Sequence, residues 1–425
     1  MQIKLSYDQQ CAYDAMYRLL ADKNQRVLCV TGEAGTGKTT MLAEFIKNFR
    51  VKLKALNNLI GNYNYLPTVT ATTNKAVDAL RDSLNKQTDG TDYYQVIAKQ
   101  SRTIHSVLGL KVTNHNFTSS LVDTGKSVPP MFLIIDESSY IDEELHTYIM
   151  QKCSHCKIVF MGDPCQLPPV KSDIPYVFDQ GYPTVHMSQI LRQANGNPIQ
   201  QLSRDLRAYV NGEDLPNVTP DGKNIIHIED PEEFQDELIN SFKHAISTKY
   251  IGYTNAKVNL ANEYIKDVLK NSPFLDVGDY AICNKYIKHP QGSIKTDETV
   301  HIREVHPAHQ VIKVDGQPVN VIGQSIRIDF PPVTVFVPHD KAVFTYFEGV
   351  GNRMSGIDIN KIVSTWADLR PQYACTIHKS QGSTYDNVFI DLDDFAGIKD
   401  EDKLSRLLYV AISRARNKVV LTGNL

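Results

Sequence analysis

The segment Gly32-Glu33-Ala34-Gly35-Thr36-Gly37-Lys38-Thr39 decides the fold that this sequence predicts. It matches the phosphate-binding pattern G-x-x-x-x-G-K-[ST] at every fixed position. Residues 26–31 form an apolar run that predicts a buried strand, and residues 40–46 predict the beginning of a helix. Strand, loop and helix in this order favour an α/β domain that binds a nucleotide over a glycine-rich turn without a ligand.

Each part of this loop has a chemical role in holding ATP and Mg²⁺, the two cofactors that the sequence predicts. The glycines permit a tight bend that turns successive N–H groups toward phosphate oxygens, and the helix N-terminus adds partial positive charge. We expect Lys38 to contact the β- and γ-phosphates and the Thr39 hydroxyl to bind the metal. The predicted phosphate-binding residues are Gly32, Ala34, Gly35, Thr36, Gly37, Lys38, Thr39 and Thr40.

The composition is ordinary for a globular protein. The 425 residues suggest roughly two to four domains, with 42% hydrophobic and 22% charged residues. A net charge of −3 does not indicate a polyanionic partner, although a basic channel can lie inside a nearly neutral protein. No apolar run reaches membrane-spanning length, and the N-terminus lacks the apolar core of a signal peptide. We therefore expect a cytoplasmic protein (host cytoplasm if viral) with no membrane partner.

Cysteine usage agrees with that compartment. The seven cysteines are scattered and odd in number, which favours free thiols in a reducing cytosol. Cys153 and Cys156 form a lone C-x-x-C, and no second pair lies at the spacing of a zinc site. We interpret this pair as incidental rather than as a metal or redox site.

Two carboxylates end a second apolar run. Residues 131–137 read as a continuous buried strand of a parallel sheet that terminates in Asp136 and Glu137. We expect Asp136 to hold Mg²⁺, directly or through water, and Glu137 to polarise the attacking water. A further strand, residues 157–161, leads to Gln166, whose amide either senses a γ-phosphate or belongs to a proline-rich surface turn.

Some polar residues allow two interpretations. Gln9 lies three residues after Ser6 and is either a capping-box residue, which the pattern alone favours, or an amide that reads adenine. Thr72 and Asn74 follow a predicted strand at residues 68–71. They either cap the next helix or bind the phosphates of a nucleic-acid strand at the carboxyl edge of the sheet.

The remaining segments predict the domain organisation. Residues 50–66 are polar and Asn-rich and predict a loop or an insertion. Residues 110–113 and 120–123 predict the arms of a hairpin with Phe117 near its tip. The pattern restarts near residue 180, and β-branched residues dominate 271–348, which predicts an all-β insertion. The predicted domains are a first α/β domain (1–180, with the hairpin insertion 109–130), a second α/β domain (181–270 and 349–425) and the all-β insertion (271–348).

Six segments in this order resemble the motifs of superfamily-1 helicases. They are GEAGTGKTT (32–40), TATTNKA (70–76), IIDESS (134–139), GDPCQLPPV (162–170), TIHKSQGST (376–384) and YVAISRAR (409–416). The forms GD-x-x-QL-x-PV, LRQA and HKSQG resemble the RecD- and Dda-like branch, whose members move 5′→3′ on single-stranded DNA. Length, motif order and the two insertions are most similar to the Dda-like helicases of phages.

This resemblance implies a fold and a set of site residues. The fold is α/β, with two RecA-like P-loop domains, a β-hairpin insertion that would carry the separation pin Phe117, and a small SH3-like all-β insertion. Gln9 would contact adenine. The residues that act on phosphate, metal and water would be Lys38, Thr39, Asp136, Glu137 and Gln166. Gly382 would approach the γ-phosphate. Arg192 and Arg414 would be arginine fingers. The DNA backbone would contact Thr72, Asn74, His105, His378 and Lys379.

The implied activity is ATP-dependent unwinding of DNA. Its partners would be single-stranded DNA, a DNA fork and, in a cell, a single-stranded DNA-binding protein or other replisome components, and the protein would act as a monomer. Two alternatives stay open: an ATP-switched single-stranded DNA-binding protein that does not unwind, and an RNA helicase. The presence of both acids and both arginines favours hydrolysis over a passive switch.

Overall fold

The computed structural model describes residues 4–60, 65–86, 97, 100–115, 118–169, 174–189, 197–244, 247–314, 317–344, 346–347 and 362–424. The chain forms two compact units, Met1–Ile228 with Ile377–Leu425 and Glu229–Thr376. No helix in the described part of the chain has the length and apolar composition needed to cross a membrane. The domain boundaries predicted from the sequence stay predictions.

The α-helices are α1 (Tyr7–Ala21), α2 (Lys38–Ile60), α3 (Asn74–Lys86), α4 (Ile104–Leu108), α5 (Glu143–Lys152), α6 (Pro198–Val210), α7 (Pro231–Lys243), α8 (Asn255–Lys270), α9 (Ile377–Ser380) and α10 (Glu401–Ile412). The strands up to residue 230 are β1 (Val27–Gly32), β2 (Pro67–Ala71), β3 (Arg102–Thr103), β4 (Leu110–His115), β5 (Thr118–Asp123), β6 (Phe132–Asp136), β7 (Lys157–Gly162), β8 (Thr184–Met187) and β9 (Ile225–His227). The later strands are β10 (Thr248–Gly252), β11 (Tyr280–Cys283), β12 (Ile287–His289), β13 (Gly292–Ile294), β14 (Thr299–Val314), β15 (Gln317–Ile328), β16 (Thr334–Pro338), β17 (Leu369–Pro371), β18 (Ala374–Thr376), β19 (Tyr385–Asp391) and β20 (Ala415–Thr422).

A six-stranded parallel sheet organises the first unit. Its strand order is β3-β2-β6-β7-β1-β8, and every neighbouring pair is parallel. This sheet confirms the α/β class. Because β6, β7 and β1 are consecutive neighbours, the residues that follow their carboxyl ends meet at one edge of the sheet.

Both faces of this sheet are buried, as a fully parallel sheet requires. On one face, α1 and α2 supply apolar side chains such as Met16 and Phe45, and the Phe45 ring lies 5.3 Å from that of Phe132. On the other face, Leu145 and Ile149 of α5 pack against β6 and β7. Truncating a buried phenylalanine such as Phe132 to alanine typically costs about 3–5 kcal/mol, so this core stabilises the strand ends that carry the site.

One sequence prediction is wrong in this unit. Residues 50–66 were expected to form a loop, but α2 continues to Ile60. Leu53 and Leu56 lie three residues apart and pack against the apolar cluster beneath the helix, so helical spacing of two leucines outweighs the polar, Asn-rich composition. Residues 61–64 lie outside the described residues.

The hairpin predicted near residue 115 is present. Strands β4 and β5 pair antiparallel from Leu110 opposite Asp123 to His115 opposite Thr118. The Thr124 hydroxyl donates to the Gly109 carbonyl at 2.6 Å and closes the hairpin base. Gly109 has a φ of 69°, and a Cβ there would lie 2.4 Å from Lys126 Cβ, so glycine is required. Phe117 lies outside the described residues.

The first unit also contains β19, β20 and β9, which pair in parallel in that order. The second unit contains β10, which pairs in parallel with β18, and an antiparallel sheet of order β16-β15-β14-β11-β17. The described part of 271–348 contains six strands and also helical residues at 342–344 and 346–347, so an all-β insertion stays a prediction. Trp366 is fully buried against this sheet and donates from Nε1 to Gln310 Oε1 at 2.6 Å.

Candidate functional site

A cavity of about 410 Å³ lies in the first unit at the carboxyl edge of the parallel sheet. Its volume falls within the roughly 300–1,000 Å³ of small-molecule sites. The predicted site residues that line it are Gln9, Ala34, Gly35, Gly37, Lys38, Thr39, Thr40, Asp136, Glu137, Gln166, Gly382 and Arg414. The sequence did not single out Lys4, Ala76, Ala79, Leu80, Ser83 and Thr384, which line it as well.

The loop after β1 has the backbone of an anion-binding nest. Gly35 and Gly37 adopt φ values of 92° and 81°, in the left-handed region that glycine accepts most readily. The Lys38 ammonium donates to the Gly32 carbonyl at 2.6 Å and to the Glu33 carbonyl at 3.0 Å. A bound phosphate would have to replace these two bonds, and the carbonyls hold the lysine at the loop until it does.

Gly32 and Thr36 shape the loop instead of lining the cavity. A Cβ on Gly32 would lie 2.8 Å from the Met187 carbonyl oxygen, so only glycine fits beside β8. Thr36 is buried, and its hydroxyl donates to the Glu33 carbonyl at 2.9 Å. These contacts stabilise the bend that aims the loop N–H groups at one point.

The two carboxylates lie where β6 ends. Glu137 adopts a left-handed conformation with φ 52°, which is unusual for a residue with a side chain and is found preferentially at functional sites. Burial raises the pKa of Asp136, although the Lys38 charge opposes this shift. Burial, followed by the nearby charge of Asp136, raises the pKa of Glu137 to about 7, while Lys38 and Arg414 lower it. Glu137 is therefore poised to accept a proton near neutral pH.

The donor set suits a magnesium ion that is bound together with phosphate. Mg²⁺ is usually held by one or two carboxylates, waters and substrate phosphates, and not by a complete protein cage. Asp136 and the Thr39 hydroxyl line the same cavity, and the described residues contain no cluster of three or more His, Cys, Asp or Glu that would form such a cage. Burial disfavours the ionised form of the Asp136 carboxyl, and the positive charge of Lys38 is the main influence that favours it. A bound cation would therefore stabilise the ionised carboxylate further.

Gln381 is a site residue that sequence reasoning missed. Its Nε2 donates to Gln166 Oε1 at 2.5 Å and to the Ser139 hydroxyl at 3.3 Å. The side chain is buried, and its Oε1 has no hydrogen-bond partner among the described residues. The next residue, Gly382, lies so close to the cavity that a Cβ would be 3.5 Å from Glu137 Oε1. The unpaired, buried Oε1 of Gln381 indicates a place for a donor such as water.

Gln9 has the geometry of the capping interpretation. The Ser6 N–H donates to Gln9 Oε1 at 2.9 Å, and the Gln9 N–H donates to the Ser6 hydroxyl at 3.3 Å. The capping box is therefore confirmed. Gln9 Nε2 also donates to the carbonyls of Thr36 and Gly37 at 3.3 and 3.2 Å, so α1 is tied to the phosphate loop. Contact with adenine stays a prediction.

Arg414 both caps a helix and lines the cavity. Its Nε donates to the Val410 carbonyl at 3.0 Å in the last turn of α10, and Nη1 donates to the Ser383 carbonyl at 3.3 Å. The side chain is only 3% exposed, so its charge is screened weakly by solvent. The second predicted finger, Arg192, lies outside the described residues.

A buried polar network supports the loop from behind. Arg207 Nη1 donates to Asp163 Oδ1 at 2.5 Å, and Arg207 Nε lies 3.5 Å from Glu33 Oε1. The Tyr409 hydroxyl donates to Asp163 Oδ2 at 2.6 Å. Burial raises the pKa of Glu33, although Arg207 opposes the shift. This network connects the phosphate loop to α6, α10 and the loop after β7, and of its four residues only Arg207 lies outside the predicted motifs.

The residues predicted to contact DNA do not line the cavity. Lys75 Nζ donates to the Lys379 carbonyl at 2.5 Å, and the Tyr140 hydroxyl donates to the His378 carbonyl at 2.9 Å. These bonds bring α9, the beginning of α3 with Asn74, and the turn after β6 to one surface.

Two properties of that surface bear on its chemistry. Burial lowers the pKa of His105 and of His378, so both are neutral near pH 7 and would contact phosphates by hydrogen bonding and not as cations. The Thr72 hydroxyl is buried and has no partner among the described residues. Their contact with DNA stays a prediction, as does that of Phe117.

Comparisons with known proteins match both parts of the first unit. The family model described as AAA domain matches residues 4–222, and that described as UvrD-like helicase C-terminal domain matches residues 371–422. An uncharacterised protein of Acanthamoeba polyphaga mimivirus is 21% identical over 97% of this chain and 98% of its own length. The ATP-dependent RecD2 DNA helicase of Deinococcus radiodurans is 23% identical over 94% of this chain.

The chain spans about half of the RecD2 helicase, since the match covers 47% of that relative's length. Among solved structures, the Pif1 helicase from Candida albicans is 17% identical with a TM-score of 0.50, and the match covers 100% of this chain and 95% of that one. This likeness shows a common fold.

Proposed function

We propose that this chain, which belongs to the AAA domain family, is a superfamily-1 helicase of the Pif1/RecD-like type that hydrolyses ATP, moves 5′→3′ along single-stranded DNA and unwinds duplex DNA. The observation that carries the proposal is the cavity at the carboxyl edge of the parallel sheet. Phosphate loop, paired acids, Gln166 and Arg414 converge there from distant parts of the chain. A base and a buried arginine at the same point favour hydrolysis over a passive nucleotide switch.

The proposed chemistry follows from these contacts. Lys38 exchanges its two carbonyl bonds for phosphate oxygens of ATP, and the loop N–H groups surround the β-phosphate. When bound by Thr39 and Asp136, Mg²⁺ would neutralise charge on the phosphoryl oxygens. Glu137 accepts a proton from water as its oxygen bonds to the γ-phosphorus, and the bond to the β–γ bridging oxygen breaks with its electron pair leaving on ADP.

Two groups would position this reaction. Arg414 is buried at the cavity wall, where a guanidinium stabilises the charge that spreads over the γ-phosphoryl oxygens in the transition state. Gln381 holds the Gln166 amide by a 2.5 Å bond, which favours one orientation of this cavity-lining amide toward the γ-phosphate and the attacking water. Arg192 is proposed as the second arginine finger on the sequence resemblance.

The same contacts suggest how hydrolysis is transmitted to DNA. Gln381 and the predicted DNA-contacting residues His378 and Lys379 lie within four consecutive residues, so a shift at Gln381 moves the proposed DNA surface directly. Thr72, Asn74 and His105 would complete a track of phosphate contacts without base recognition. The polarity 5′→3′ rests on the motif forms of the RecD- and Dda-like branch.

The finer parts of the proposal concern insertions and partners. We assign the chain to the Dda-like helicases of that branch, with segment 109–130 as a separation pin and 271–348 as an SH3-like module. The protein would work as a monomer at a DNA fork, with a single-stranded DNA-binding protein or other replisome components as partners. The antiparallel pairing of β4 with β5 supports a pin, because a hairpin can project into a fork.

The proposal is tested by hydrolysis and strand separation measured on the same preparation. ATP turnover should rise severalfold with single-stranded DNA, and a tailed duplex should be separated only when ATP and Mg²⁺ are both present. Glu137→Gln serves as a control that should bind ATP but neither hydrolyse it nor separate strands. DNA-stimulated turnover without separation would indicate a switch, and stimulation by RNA alone would indicate an RNA helicase.

A further inference from the structure

A second cavity of the first unit, about 1190 Å³, lies at the amino edge of the parallel sheet. Arg26, Leu66, Met131 and Lys157 line it, and each stands at or just before the first residue of a strand. The nucleotide cavity lies at the opposite edge, and strands of five or six residues separate the two by roughly 16–20 Å. We call this cavity the basal groove.

The basal groove is cationic in a chain of net charge −3. Lys23, Arg26, Arg102, His155 and Lys157 line it, and no Asp or Glu belongs to its described lining. The side chains of Lys23 and Arg102 are exposed, so they can contact a ligand without any rearrangement of the surrounding structure.

The positive potential extends beyond the lining. Burial lowers the pKa of Lys126, and the charges of Arg102 and Lys152 lower it further. Such repulsion between Lys126, Arg102 and Lys152 requires that the three cations lie close together and that few acidic groups offset their charges. The nearby acids are already engaged: Asp123 pairs with Lys152 at 2.5 Å, and Asp22 accepts the backbone N–H groups of two following residues. The positive electrostatic potential of the groove would therefore stabilise a bound anionic ligand.

One polar group within the groove lacks a partner. Arg26 Nη2 donates to the Cys153 carbonyl at 3.3 Å, which fixes the guanidinium, yet its Nε is buried and has no acceptor among the described residues. Lys157 differs from Arg26, because its ammonium already donates to the Asp22 and Gln25 carbonyls. It therefore contributes mainly its positive charge to the groove. A buried donor without an acceptor is costly, so a carboxylate or phosphate oxygen at Arg26 would be favourable.

The apolar part of the lining distinguishes a peptide from a nucleic acid. Leu66 is 68% exposed, and Pro129 and Pro130 are exposed beside it. Tyr65 is the only aromatic ring other than His155 in the described lining, and it is half-buried. Single-stranded nucleic acids bind basic grooves by stacking on exposed aromatic rings, which this groove does not provide, whereas exposed aliphatic groups suit aliphatic side chains.

We propose that the basal groove binds an acidic peptide segment of a partner protein, with carboxylates at Lys23, Arg26 and Arg102 and aliphatic side chains on Leu66 and the two prolines. Such a segment would join the partner to the motor domain at the edge of the sheet that the nucleotide does not use. The proposal is independent of the nucleotide site, because no residue is common to the linings of the two cavities.

The test uses the full chain and a short fluorescein-labelled peptide that contains Asp and Leu in equal numbers. Fluorescence anisotropy should give saturable binding that weakens as salt rises, since screening shortens the range of surface charges. Lys23→Glu and Arg102→Glu should each raise Kd at least roughly tenfold. Lys288→Glu, a matched reversal on exposed β12, should leave Kd unchanged. A peptide with Ser in place of Leu should bind more weakly than the original.

Several results would overturn the proposal. Absence of saturable binding to the wild-type protein would do so, as would equal weakening by Lys288→Glu, which would mean that only overall charge matters. A labelled single-stranded oligonucleotide that loses as much affinity as the peptide in Lys23→Glu would assign the groove to nucleic acid. ATP turnover is measured in every variant, and an unchanged value separates a failed groove proposal from a failed nucleotide site.

Discussion

Acidification should stop ATP hydrolysis through one group, Glu137. Its pKa of about 7 results from burial and from the neighbouring charge of Asp136. A base with that pKa is about nine-tenths ionised at pH 8 and about one-tenth ionised at pH 6, so kcat/KM should fall roughly tenfold between these values. An ordinary exposed glutamate, with a pKa near 4.3, would lose almost nothing over the same range.

The assay is a pH profile of ATP turnover at constant ionic strength, measured once at limiting and once at saturating Mg–ATP. The profile of kcat/KM reports the free enzyme, and its acidic limb should lie near pH 7. The kcat profile should have its limb at lower pH, because a cation on Asp136 removes the charge that raises the pKa of Glu137.

A substitution that removes a positive charge tests the electrostatic cause of the shifted Glu137 pKa. Arg414 lowers the pKa of Glu137, so Arg414→Gln should move the acidic limb to higher pH, whereas Lys399→Gln on an exposed loop should not move it. A kcat/KM profile that stays flat down to about pH 5 would refute the reasoning, because a buried base could not then be the titrating group.

Five substitutions test the remaining site residues. Lys38→Ala should abolish turnover while single-stranded DNA binding largely survives in a filter-binding assay, and near wild-type turnover would rule out the phosphate site. Arg414→Ala and Arg192→Ala should each lower turnover by about 10³–10⁵ with ATP binding retained, and two unaltered rates would mean that neither is a finger. Gln381→Ala should lower kcat roughly tenfold or more with little change in KM, because the Gln166 amide loses its donor; a pure rise in KM would contradict a positioning role. Phe117→Ala should preserve DNA-stimulated hydrolysis and reduce the base pairs separated per ATP, and unchanged unwinding would exclude a wedge at that position.

The sequence predicts those parts of the site that one strand and its following loop specify. The glycine-rich loop and the two acids each follow a continuous apolar run, and buried parallel strands deliver their carboxyl ends to one edge of a sheet. Lys38 and Asp136 could therefore be placed together before any coordinates were known. Gln9 was correctly interpreted as a capping residue, since Ser6 precedes it at capping-box spacing.

Contacts between remote segments could not be predicted in this way. Gln381 lies within a motif, yet its bond to Gln166 joins residues 215 positions apart, and no local pattern encodes that pairing. Arg207 lies on an amphipathic helix where an arginine ordinarily faces solvent, and only tertiary packing brings it to Asp163. The basal groove was not predicted for the same reason, because its lining residues are dispersed over five segments of the chain.

Strand separation on tailed duplexes tests the central claim most directly. Two DNA duplexes are compared that are identical except for a single-stranded tail on the 5′ or the 3′ side, under single-turnover conditions with ATP and Mg²⁺ and with a trap strand. Movement 5′→3′ predicts rapid separation of the 5′-tailed duplex and none of the 3′-tailed one. Separation of the 3′-tailed duplex alone, or ATP hydrolysis on both substrates with separation of neither, would contradict it.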